Sequence, residues 1–217
     1  MTGATPPRVL YGGTFDPVHA GHLAVAEAAA DLLHVDVYLV PSADPPLRTA
    51  PGASAEQRAA MLELAIEHHP RLHVDRRELG REGPSWTVDT LSEVRSEIGP
   101  ETPLVWVLGA DAFRHLHRWH DWRGIFALAH LLVAARPGHA MDRFEPELES
   151  AVATRWTDDP AWLSAAPAGL VLKLDLSPRR EAASTVRARI ASGLRWDADT
   201  PPAVVAYIRK YSLYGHP

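Results

Sequence analysis

The chain has 217 residues, 46% hydrophobic and 23% charged, which fits one soluble globular domain large enough to bury a full core. A formal net charge of −5 argues against bulk nucleic-acid binding, and the lack of any cysteine excludes disulfides, thiol chemistry and Cys-based metal sites. No run approaches the roughly 18 apolar residues of a membrane span, and the opening Met-Thr-Gly-Ala-Thr-Pro-Pro-Arg has no apolar h-region, so no membrane partner and a cytoplasmic address are expected.

Taken in order, Val9-Leu10-Tyr11 reads as a buried strand, followed by a glycine-bearing turn and an Ala-rich helix over Leu23–Leu33. Val35–Val40 alternates and stops at Pro41, the mark of a second strand, and the breaker-rich stretch Pro41–Gly52 is a loop. Ser54 with Gln57 three residues on predicts a capping box opening a helix over Ala55–His68. Leu72–Val74 is a short third strand, and Val88, Leu91, Val94 and Ile98 recur at helical spacing over Thr87–Ile98. Leu104–Leu108 and His130–Ala135 are continuous apolar runs, as expected of strands covered on both faces. Residues 138–168 lack periodicity and read as an irregular insertion; beyond them come a short strand over Leu170–Leu174 and helices near Thr185–Ala191 and Pro202–Tyr211. Strands alternating with helices predict an α/β fold, a doubly wound parallel sheet with helices on both faces and a small C-terminal helical portion. Ligands of such sheets bind beyond the carboxyl ends of the strands where strand order reverses, and the loop after the first strand is expected there.

That loop carries the densest chemistry. Tyr11-Gly-Gly-Thr-Phe-Asp-Pro-Val-His-Ala-Gly-His22 passes from strand to helix, so backbone N–H groups meet at a positive helix end, which suits a phosphate. Gly12 and Gly13 have no Cβ to keep a ligand from the backbone. His19 and His22, three residues apart, share one face of a first turn and can donate to phosphate oxygens, adding charge when protonated. Zinc is disfavoured, because neither a nearby Cys nor an HExxH pattern completes a site, and no protein metal site is expected.

Gly-Gly-Thr-Phe-Asp-Pro-Val-His-Ala-Gly-His resembles the GxFxPxHxGH signature of nucleotidyltransferases with a Rossmann-like fold, and within them the bacterial nicotinate-nucleotide adenylyltransferases. The resemblance implies that Gly12, Gly13, Thr14 and Phe15 meet ATP and that His19 and His22 contact its phosphates and stabilise the transition state. Four further stretches follow in family order. Gly83-Pro-Ser-Trp-Thr-Val-Asp-Thr-Leu91 opens a helix that Ser85 or Thr87 can cap, and is similar to the family's PSYTxxTL segment; Trp86 (through its backbone) and Thr87 are then expected to receive a nicotinate carboxylate. Gly109-Ala-Asp111 ends a strand and resembles the family's G-x-D motif, which assigns Asp111 to the nucleotide substrates, although a helix cap would use the same carboxylate. In Arg118-Trp119-His120-Asp121-Trp122, Trp119 is chosen to stack on the pyridine ring and Trp122 for the core.

Ser184-Thr-Val-Arg187 is similar to the late motif I-S-S-T-x-I-R, so Ser184 and Arg187 fall on the ATP side, with Ala182 and Ala183 standing where that motif has two serines. Arg48 is expected to reach a phosphate from the loop Asp44–Arg48, where Leu47 replaces the histidine of a P-P-H-[RK] pattern. The implied layout is a single domain over 1–217: a catalytic sheet about 8–136, a variable segment about 138–168 and an ATP-binding helical part about 175–217. The implied reaction joins ATP, with Mg²⁺, to nicotinate mononucleotide, giving nicotinate adenine dinucleotide and pyrophosphate in NAD biosynthesis. A sibling transferase using the nicotinamide nucleotide or another phosphate acceptor, and a non-catalytic nucleotide-binding module, are the alternatives. A homo-oligomer is compatible with the sequence, which does not fix the state.

Overall fold

The computed structural model describes residues 5–47, 50–135, 144–176 and 182–216. Seven strands among these residues form one sheet: β1 (Arg8–Gly13), β2 (Val37–Pro41), β3 (Leu72–Val74), β4 (Leu104–Gly109), β5 (His130–Ala135), β6 (Trp156–Thr157) and β7 (Val171–Asp175). Their order is β3-β2-β1-β4-β5-β7-β6, and every neighbouring pair is parallel. The chain winds outward from β1 to β3, then returns to lay β4 against the other side of β1, so the reversal falls between β1 and β4.

Among the described residues eight α-helices cover the sheet: α1 (Ala20–Leu33), α2 (Ala55–Ile66), α3 (Thr87–Ile98), α4 (Ala110–Arg114), α5 (Trp122–Leu128), α6 (Pro146–Val152), α7 (Ala183–Ala191) and α8 (Pro202–Lys210). Strand alternation sorts the core into two layers. Val9, Tyr11, Val105 and Val107 face a layer shared with α1, α2, α7 and α8, while Leu10, Trp106 and Leu108 face α3, α4, α5 and α6. The C-terminal helices are thus part of the first layer, with Val186, Ile190, Val204 and Ile208 in the cluster that holds Val9 and Val37.

Local chemistry accounts for most element ends. Ser54 and Gln57 form the reciprocal cap of α2, the hydroxyl accepting from the Gln57 N–H (3.2 Å) and the amide oxygen from the Ser54 N–H (3.0 Å). The reading of 138–168 as irregular is corrected for 144–168: Leu148 and Val152 of α6 enter the second layer, and Trp156–Thr157 pairs with β7. Seven- and two-residue elements are too short to show periodicity; neighbours create them. No helix among the described residues is long and apolar enough to cross a membrane.

Candidate active site

A cleft of about 970 Å³ opens over the carboxyl ends of the central strands at the β1/β4 reversal. Gly12, Gly13, Thr14, Phe15, His19, His22, Trp86, Thr87, Asp111, Trp119, Ser184 and Arg187 all line it. Arg48 lies outside the described residues.

His19, only 3% exposed, is the N-cap of α1, and its Nδ1 accepts from the Gly21 N–H at 3.1 Å. His22 stands at the third helical position and returns the bond, its Nδ1 accepting from the His19 N–H at 3.3 Å. Two imidazoles therefore build the reciprocal cap that Ser and Gln build in α2. Cap position is also why α1 starts at Ala20 and not at Leu23. The rings stack at 3.8 Å and 27°. Because each Nδ1 accepts, the ring hydrogen sits on Nε2, a nitrogen that can donate to a phosphate oxygen. The positive end of α1 adds its field to the pair.

The two glycines have a packing reason beside the expected approach of a ligand. A Cβ on Gly12 would sit 2.0 Å from the Trp106 ring, and one on Gly13 would sit 2.9 Å from the Phe15 ring. Both are demanded by aromatic packing under the turn.

Residues that the sequence reading passed over hold this turn. Asp16, 4% exposed, accepts from the N–H groups of Gly52 (2.8 Å) and Ala53 (3.1 Å) and from the Tyr214 hydroxyl (2.8 Å). Its carbonyl accepts from Arg187 Nη1 at 2.6 Å, and the same nitrogen is 3.6 Å from its carboxylate. Arg58, 1% exposed on α2, donates to the carbonyls of Thr14 (2.7 Å), Ala43 (3.1 Å) and Ala53 (3.2 Å). Burial pulls its guanidinium below the ordinary arginine range, opposed by the Asp16 charge. A signal for Arg58 did exist: it is a charged residue inside the buried stripe Arg58, Ala59, Met61, Leu62, Ala65. Asp16 stood inside the signature itself.

On the other layer, neither Ser85 nor Thr87 caps α3. Trp86 holds the N-cap position without a side-chain bond, and Thr87 is the first helical residue. The Ser85 hydroxyl instead accepts from the Ala43 and Asp44 N–H groups (3.0 and 3.2 Å), tying the loop after β2 to the start of α3. The N–H groups of Thr87 and Val88 have no carbonyl one turn earlier within the helix, whereas the Trp86 N–H donates to the Pro84 carbonyl at 3.0 Å. The Trp86 ring lies 4.9 Å from that of His120. Behind them, buried Glu78 accepts from the Thr90 hydroxyl (2.6 Å), and burial raises its carboxyl above the ordinary range.

Asp111 does not cap: Gly109 is the N-cap of α4, and Asp111 stands exposed in the first turn. Trp119 lines the cleft half-buried and packs against the second layer, while Trp122 is in its core. Ser184 likewise lies inside the first turn of α7, whose N-cap is Ala182 with no side-chain bond. The alanines that depart from the family motif thus leave that helix start uncapped. Among the described residues no group of three His, Asp or Glu is placed to hold a metal ion.

Known proteins resemble this chain in sequence and in fold. A cytidylyltransferase-like family model matches residues 10–190. A protein of Stenotrophomonas maltophilia (strain K279a) named probable nicotinate-nucleotide adenylyltransferase is 51% identical over 216 residues, covering 97% of each chain. The chain belongs to the nicotinate-nucleotide adenylyltransferase family. A relative of the same name from Xylella fastidiosa (strain M12) is 48% identical, with 96% of each chain covered. The fold is also that of the Plasmodium falciparum nicotinic acid mononucleotide adenylyltransferase complexed with NaAD, at TM-score 0.74, 16% identity and coverage of 97% of this chain and 98% of that one.

Proposed function

We propose that this family member transfers the adenylyl group of ATP to nicotinate mononucleotide, releasing pyrophosphate and forming nicotinate adenine dinucleotide. The observation that carries the reading is a cleft joining an imidazole pair at one helix N-terminus to an aromatic wall and a second helix N-terminus. The first end suits a triphosphate and the second a flat ring bearing an acid.

The acceptor's phosphate monoester attacks the α-phosphorus of ATP in line; a P–O bond forms there as the bond to the pyrophosphate oxygen breaks. With its second pKa near 6, the monoester is already an anionic nucleophile at neutral pH, so the protein supplies alignment and charge stabilisation. His19 and His22 donate from Nε2 to phosphate oxygens, Gly12 to Phe15 bring backbone to the triphosphate, and Ser184, Arg187 and Arg48 hold its outer charge. Thr87 and the turn at Trp86 receive the ring carboxylate, Trp119 stacks on the ring and Asp111 accepts from a ribose hydroxyl. The Asp16 carboxylate is occupied by two N–H groups and a hydroxyl, so the donor set fits Mg²⁺ arriving on the ATP phosphates. Bound there, it would supply charge neutralisation to the phosphates.

The test is pyrophosphate release from ATP and Mg²⁺ with nicotinate or nicotinamide mononucleotide as acceptor. The acid should be preferred in kcat/KM by at least tenfold, because the amide leaves N–H donors facing its own NH₂ group. Preference for the amide rejects the assigned acceptor, and no turnover with either rejects the reaction.

A further inference from the structure

Tyr214 takes no part in the chemistry above, yet it is bonded into the site's foundation. It stands next to the C-terminal end in the left-handed region (φ 59°), in the short 3-10 turn Leu213–Gly215 that packs against α7. Its hydroxyl donates to Asp16 Oδ1 across a separation of 198 residues. Its ring lies over Gly52, where a Cβ would come within 2.8 Å of Tyr214 Cδ1. Asp16 is thus gripped through its carboxylate by Gly52, Ala53 and Tyr214, while its backbone carbonyl grips Arg187. Arg187 is bound to Asp16 through Nη1 and lines the cleft. A guanidinium has five donors in a fixed fork, so fixing one edge aims the others.

We propose that Tyr214 is a positioning residue for ATP: its hydroxyl locks the Asp16 carboxylate, and through Asp16 it sets the edge that Arg187 offers to the triphosphate. The C-terminal tail is thereby a working part of the ATP half of the cleft. Burial and the adjacent Asp16 charge both push the Tyr214 phenol far above its ordinary range, so it remains a donor at any working pH. The proposal rests on the ATP side being where the proposed function has it.

The test is calorimetric titration of MgATP into the full chain and into Tyr214→Phe, Arg187→Ala and the double variant. Tyr214→Phe keeps the ring on Gly52 and removes one oxygen. It should weaken MgATP about fivefold or more, leave the KM of the acceptor within twofold, and have no further effect once Arg187 is alanine. A lower melting temperature with unchanged MgATP affinity marks a purely structural tyrosine and overturns the proposal. So does an effect that persists undiminished in the Arg187→Ala background. Gly52→Ala, whose methyl displaces the same ring, should reproduce the selective loss if Tyr214→Phe folds poorly. Failure of the unaltered chain to bind MgATP overturns the ATP assignment itself, a result distinguishable from the other two.

Discussion

Arg58→Met removes the donor on which three segments of the cleft converge. Methionine keeps an unbranched chain in the α2 stripe but cannot donate, so the carbonyls of Thr14, Ala43 and Ala53 lose bonds of 2.7, 3.1 and 3.2 Å. Hydrogen bonds to a charged group contribute about 1.5–3 kcal/mol each. The three are not additive, and relief of the guanidinium's burial offsets part of the loss. The net expectation is about 3–5 kcal/mol, chiefly the cost of leaving three carbonyls without their donor. With a urea m-value of about 2 kcal/mol/M, the unfolding midpoint falls by about 2 M. Kinetics carry a second signature. Thr14 belongs to the phosphate turn, and Ala43 holds Ser85 at the start of α3, so the KM values of ATP and acceptor should rise together. A loss below about 1 kcal/mol with both KM values intact would falsify the view of Arg58 as the link between the two halves.

Four other outcomes are expected. His22→Ala should cut kcat by at least a hundredfold, as expected when a transition-state donor is lost. It also removes half of the α1 cap, so about 1 kcal/mol of stability should go with it; a near-normal rate in a folded variant removes His22 from the chemistry. Ala182→Ser places a hydroxyl at an extended N-cap (φ −140°, ψ 137°) and should stabilise the protein by about 1 kcal/mol, read as a melting temperature higher by about 2–4 °C. Gly12→Ala drives a methyl into Trp106 and should destabilise by at least about 2 kcal/mol; an unchanged melting temperature contradicts the packing reason for that glycine. His130, fully buried, donates from Nε2 to the Ala166 carbonyl (2.8 Å), accepts from the Leu170 N–H (3.0 Å) and is held below its ordinary pKa chiefly by burial. Its stabilisation is complete above the unfolded value of about 6.5 and is lost as pH falls from there toward the folded value, at up to about 1.4 kcal/mol per pH unit. His130→Gln should flatten that slope in urea midpoints taken between pH 5 and 7.5; an unchanged slope assigns it to another group.

What could be read from the chain alone was what a few neighbouring residues decide. The runs Leu104–Leu108 and His130–Ala135 need both faces covered, and Ser54 with Gln57 needs only one turn of helix, so all three were legible. The histidine pair was legible because strand, turn and helix follow one another without a break. Its working form was not: nothing in a spacing of three says that each imidazole spends Nδ1 on the helix start and is thereby confined to donating from Nε2. Other misses share a cause. Trp156–Thr157 is a strand only because β7 lies beside it. Ser85 was read as a cap because caps are local, whereas its partners lie about forty residues earlier. The ties that hold Asp16 and Arg187 join residues 36 to 198 positions apart. Groups that meet a nucleotide can be assembled within one loop, since a helix end supplies the field. Holding that loop still against the repulsion of a triphosphate cannot be done locally, because every rigid contact must come from another crossover. It follows that variants at Arg58, Asp16 and Tyr214 should move substrate affinity before they move the chemical step, and those at His19 and His22 the reverse.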